Sequence, residues 1–160
     1  MSRDSHPDTD TFSTPHGSPA ERLETIAREF SELEPRERLE LLLEFADRLP
    51  PLPPELAGEA EHAAHRIVEC QTPVFIWVDL VEGRVKLAAE VAPEAPTVKG
   101  FVSILVDLFA GATPDEVLAL DANVVGRLGL VEALGMLRMR GLQAMQFYIR
   151  NRLRSQIAGR

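Results

Sequence analysis

One cysteine, one tryptophan and one tyrosine in 160 residues leave this chain few routes to chemistry. A single thiol excludes an internal disulfide and suits a reducing compartment. No stretch approaches the roughly 18 apolar residues a membrane helix needs. The opening MSRDSHPDTDTFSTPHGSP holds no apolar run of the kind a signal peptide needs. These absences set the expectation of a cytoplasmic protein with no membrane partner. Neither G-x-G-x-x-G nor a P-loop is present, so a nucleotide cofactor is not expected. Basic residues are also short, with 17 Lys and Arg against 25 Asp and Glu for a net charge of −8. Residues 136–160 carry six arginines and no acid, leaving 11 basic and 25 acidic groups in the first 135 residues. Such an acidic body repels phosphate, so nucleic acid is not an expected partner. The basic end reads as the solvated, charge-complementary face of a final helix.

What is there suits one soluble domain. Hydrophobic residues make up 45% and charged residues 26% of the chain, ordinary values for a globular protein. After Met1, residues 2–17 have Phe12 as their only large apolar side chain, and residues 1–17 are expected to form a disordered tail, with a single domain over 18–160. Ser18, Pro19 and Glu21 form a capping-box start, and Leu23, Ile26, Ala27, Phe30 and Leu33 follow at helical spacing. A second helix starting near Pro35 should bury Leu39, Leu42, Leu43, Ala46 and Leu49 before 50-PPLPP-54 stops it. Residues 55–66 suit another short helix. Val74, Ile76, Val78 and Leu80 alternate with Phe75, Trp77 and Asp79, and after 82-EG-83 a second alternating run completes a hairpin. Residues 67–68 could add a third strand. Helical spacing returns from Thr97 to Gly111, in a capped helix from 113-TPDE-116, and from about Arg138 to Ile157, with a variable stretch over 121–136. The expected fold is α+β, a small antiparallel sheet of about three strands covered by helices.

Cys70 sits at the mouth of the first strand, between Glu69 and Gln71-Thr72-Pro73, where a turn is expected. Free cysteine is often a small buried hydrophobe. Its position among polar neighbours favours a nucleophile instead. The thiolate is the working species, and an ordinary thiol near pKa ~8.5 is only slightly ionised at neutral pH. Glu69 should raise that value by like-charge repulsion. His62 and His65 with Cys70 supply three ligand types at no familiar zinc spacing and no second cysteine, so no metal is expected. A Cys–His dyad lacks a recognisable third member.

The order CQTPVFIWVD, hairpin, VKGF at a helix start, ATPDEVLAL and LRMRGLQAM resembles the SufE family of sulfur-acceptor proteins, over about residues 22–155. The resemblance implies an IscU-like domain with the cysteine on an exposed loop at the end of the sheet. It implies that this cysteine takes persulfide sulfur from a PLP-dependent cysteine desulfurase of the SufS type and stimulates that enzyme. The sulfur then passes to a SufB-SufC-SufD-type scaffold for iron–sulfur cluster assembly. Cys70 matches the acceptor, Gln71 the glutamine after it, Lys99 and Gly100 the helix start, and Arg138 the arginine of the late motif. Glu69 stands where many members have glycine, and Thr72-Pro73-Val74-Phe75 replaces the more usual Ser-x-Val-Trp. Gln71, Arg138, Lys99 and Glu69 are the candidate partner-contacting residues.

A lone cysteine suits a persulfide carrier, because a second thiol nearby would attack the persulfide and discharge it. Burial against apolar neighbours would shelter the outer sulfur. Such a carrier needs no cofactor of its own and is an accessory to its partner rather than an independent catalyst. The rival reading is a non-catalytic interaction protein of the same fold, in which Cys70 is dispensable.

Overall fold

In the computed structural model, residues 17–57 and 62–159 are described. Helix α1 (Pro19–Ser31) starts where expected, with the Ser18 hydroxyl accepting from the Glu21 amide at 3.3 Å and Pro19 in the first turn. Its buried face is Leu23, Ile26 and Phe30. Helix α2 (Pro35–Ala46) opens on a capping box between Glu34 and Glu37 and buries Leu42, Phe45 and Ala46. Leu43, expected inside, is exposed. The buried positions follow i, i+3, i+4 spacing, and Leu43 falls off that face.

Strands β1 (Val74–Val81) and β2 (Arg84–Val91) pair antiparallel in a register running from Val74↔Val91 to Val81↔Arg84. Their two-residue turn places Glu82 at φ 52° and Gly83 at φ 75°, the left-handed pair that a tight hairpin needs. Val74, Ile76, Val78, Val85, Ala89 and Val91 face the core. Among the described residues the sheet has two strands rather than three. Where the third was expected there is one bridge, Arg66↔Phe75, after which a turn lifts the chain off the sheet edge. The outer face of β1 is covered differently. A 3-10 turn, Ala63–His65, lies over it, with the His65 ring stacked on Trp77 at 5.0 Å and His62 edge-on at 5.2 Å.

Helix α3 (Pro96–Phe109) runs through the core, burying Phe101, Val102, Ile104, Leu105, Leu108 and Phe109. It crosses α2 at Gly100, where a β-carbon would lie 2.1 Å from the Leu42 carbonyl oxygen. Helix α4 (Pro114–Ala119) opens on the expected Thr113–Glu116 capping box. The variable stretch contains two short helices, α5 (Val124–Arg127) and α6 (Val131–Leu134). Helix α7 (Met136–Ala158) begins slightly before its expected start and buries Met139, Gly141, Leu142, Met145, Gln146, Ile149 and Leu153. Ile157, expected on that face, is exposed. The fold is α+β, with one hydrophobic cluster joining the helices to the inner face of the hairpin. The helix expected over 55–66 falls partly on 58–61, and the tail expected over 1–17 almost wholly on 1–16, both outside the described residues.

Candidate functional site

The turn that ends the bridge to β1 is the one that carries Cys70. The Ile67 amide donates to the Val74 carbonyl at 2.9 Å, and the Cys70 amide donates back to the Ile67 carbonyl at 3.2 Å. The first bond ties the segment to the start of β1, and the second closes a turn over residues 67–70. Ile67 points into the core, and Val68 is pushed outward at 77% exposure.

Cys70 itself is only 8% exposed and belongs to the core cluster. The resemblance implied an exposed loop, and for the thiol that is corrected: Glu69 and Gln71 face solvent while the side chain between them turns inward. Its floor is α7. A β-carbon on Gly141 would stand 3.7 Å from the Cys70 Sγ and 3.9 Å from the Glu69 carbonyl oxygen. Burial pushes the thiol pKa above its ordinary value, and a hydrogen bond from the Thr72 backbone acts in the opposite sense. The direction is the expected one, but the cause is desolvation rather than Glu69. A thiol held this way is protonated at neutral pH and a weak nucleophile.

Arg138 lies three residues before Gly141 and so on the same side of α7, one turn from the floor under Cys70. It is exposed and forms no hydrogen bond or ion pair among the described residues. Two other arginines of the same helix are committed. Arg150 donates to the Leu118 carbonyl at 2.9 Å, and Arg152 donates to the Ala64 carbonyl at 3.0 Å. Beside Arg138, Met136 and Leu137 are 69% and 74% exposed. Val68 on the cysteine turn and this first turn of α7 thus present apolar side chains with an uncommitted cation.

Lys99 is not brought into this group by any hydrogen bond or ion pair among the described residues. It stands half-buried in the first turn of α3, and the glycine after it is explained by the crossing with α2. His62 and His65 serve the outer face of the hairpin, His62 Nε2 lying 2.6 Å from Glu90 Oε2. Among the described residues no three His, Cys, Asp or Glu side chains are placed to share a metal ion. Sequence reasoning missed Gly141 as the floor of the site, although R-x-x-G spacing on a helix puts Arg138 and Gly141 on one side. It could not find the Thr72 backbone contact, which depends on the turn.

Residues 24–153 match the family described as SufE, an Fe-S metabolism associated domain. An uncharacterized SufE-like protein of Mycobacterium tuberculosis is 38% identical over 144 residues, covering 89% of this chain and 98% of its own. A chloroplastic quinolinate synthase of Nicotiana tabacum is 36% identical over 124 residues, 74% of this chain but 16% of that enzyme. Among solved structures, the solution structure of a hypothetical protein from Thermus thermophilus is similar, with a TM-score of 0.72 and 34% identity. That match covers 86% of this chain and 96% of the other.

Proposed function

Because the chain belongs to the SufE family, with a sulfur-transfer role in iron–sulfur metabolism and a cysteine desulfurase as partner, we propose that Cys70 is its sulfur acceptor. The observation that carries this reading is the setting of the only thiol: a closed turn, a helical floor, and an uncommitted Arg138 one turn away.

The transfer is a thiol exchange. The Cys70 thiolate attacks the outer sulfur of a persulfide on a SufS-type, PLP-dependent desulfurase. The donor S–S bond breaks, a new S–S bond forms on Cys70, and the donor leaves as a thiolate that takes up a proton. Nothing is oxidised or reduced overall, and the carrier needs no cofactor. Buried and protonated, Cys70 reacts slowly until docking opens the turn and lifts its desolvation. Val68, Leu137 and Arg138 form the surface that the desulfurase meets, with Glu69 and Gln71 beside the thiol. The loaded protein then hands its outer sulfur to a SufB-SufC-SufD-type scaffold in the cytoplasm.

Desulfurase turnover with cysteine, measured with and without this protein, tests the reading. Wild type is expected to stimulate it and Cys70→Ser to have no effect, since a hydroxyl lacks a usable anion near neutrality. The rival, an interaction protein that does not use the thiol, draws on the burial of Cys70 in the core cluster. Stimulation by Cys70→Ser at the wild-type level would select the rival.

A further inference from the structure

Gly141 lies in the interior of α7, where glycine is less favourable than alanine because it loses more backbone freedom on folding. Nothing in the backbone calls for it, since its φ is not among the positive ones. Nor does packing of the resting protein exclude a methyl group. The nearest atoms to a β-carbon there would be Cys70 Sγ at 3.7 Å, Cys70 Cα at 3.8 Å and the Glu69 carbonyl oxygen at 3.9 Å, all ordinary contacts. At Gly100, by contrast, the corresponding carbon would strike backbone at 2.1 Å. The glycine at 141 thus leaves a methyl-sized gap whose nearest neighbour is the one thiol of the chain.

We propose that Gly141 is a positioning residue for sulfur carriage: the gap it leaves on α7 lodges the outer sulfur of a Cys70 persulfide while Cys70 stays buried. The proposal rests on the sulfur-carrier reading above. A persulfide adds one atom about 2.05 Å beyond Sγ. A methyl 3.7 Å from Sγ occupies the room that atom needs on the α7 side. With the gap filled, the loaded side chain must turn outward and take the 67–70 turn with it. An exposed outer sulfur is open to attack by a small thiolate, which takes the sulfur as its own persulfide while the bond to Cys70 breaks and Cys70 leaves as thiolate.

Full-length wild type and Gly141→Ala are compared in two states. Unloaded, the variant is expected to melt at or above the wild-type temperature, with Cys70 alkylation by iodoacetamide within about twofold of wild type. Both are then charged with inorganic polysulfide, which needs no desulfurase, and loss of the sulfur adduct to glutathione is followed by intact mass. The alanine variant is expected to discharge at least tenfold faster. Equal discharge rates would overturn the role of Gly141, as would a melting temperature several degrees below wild type in the unloaded state. If wild-type Cys70 takes no sulfur from polysulfide or from a desulfurase supplied with cysteine, the sulfur-carrier reading fails and this inference with it.

Discussion

At Cys70 two effects of opposite sign meet: burial raises the thiol pKa, and the Thr72 backbone hydrogen bond lowers it, with burial the larger. The unfolded chain restores an ordinary thiol near ~8.5. A group whose folded-state value is raised contributes stability that is fully present below the unfolded value and is lost as pH rises through the folded one. The alkylation rate of Cys70 in the folded protein is therefore expected to inflect above ~8.5, and in denaturant to return to it. An inflection at or below the ordinary value in the folded protein would show that burial does not govern this thiol. Arg138 is the second residue with a cost to explain. A cation in the first turn of α7 opposes the positive end of the helix dipole, by a few tenths to about 1 kcal/mol. No ion pair among the described residues offsets it. Arg138→Met keeps the stem and removes the charge. It is expected to leave the melting temperature unchanged or slightly higher while weakening desulfurase stimulation. Normal stimulation with a fall of several degrees would make Arg138 structural. Both residues were legible in the sequence as members of motifs. The inward turn of the thiol was not, because Glu69 and Gln71 suggest a solvent loop, whereas the turn closed by the bond from Cys70 back to Ile67 buries the residue between them in the core.

Among the elements, α3 and α7 fix the site from opposite constraints. Gly100→Ala would force a methyl against the Leu42 carbonyl, and backbone cannot move aside as a side chain can. Overpacking of this kind typically costs about 1–3 kcal/mol. The variant should melt well below wild type, and an unchanged melting temperature would mean that the two helices can slide apart freely. On α7, buried Gln146 accepts from the Val124 amide at 3.0 Å and donates to the Asp121 carbonyl at 2.7 Å, tying α5 to the helix. Denaturant unfolding of Gln146→Leu is expected to show a loss of about 1–3 kcal/mol, the cost of leaving a buried donor unpaired. The hairpin was legible because its alternation and its Glu-Gly turn agree. A third strand was not decidable from Ile67 and Val68, since β-branched residues favour a strand but a run of two is too short to show its alternation. Phe45 displaced Leu43 from the α2 core because the face is set by the crossing with α3, which hydrophobicity alone does not reveal.

Over the whole molecule, the basic C-terminal segment divides by role. Arg150 and Arg152 bond carbonyls of neighbouring segments, and Arg138 and Arg140 face solvent at the end of α7 nearest Cys70. A chain beginning at Ser18 is expected to stimulate a desulfurase as well as the full chain does, since the family match begins at residue 24; a large loss would assign the first 17 residues a part in docking. The central claim is that Cys70 accepts sulfur, and one measurement addresses it directly. The protein is incubated with a PLP-dependent cysteine desulfurase and cysteine, and its mass is read before and after reduction. The account predicts a gain of about 32 Da, carried by the peptide holding Cys70 and removed by reductant, as for a reversible persulfide cap. An unmodified Cys70 while the desulfurase turns over in its presence would contradict it.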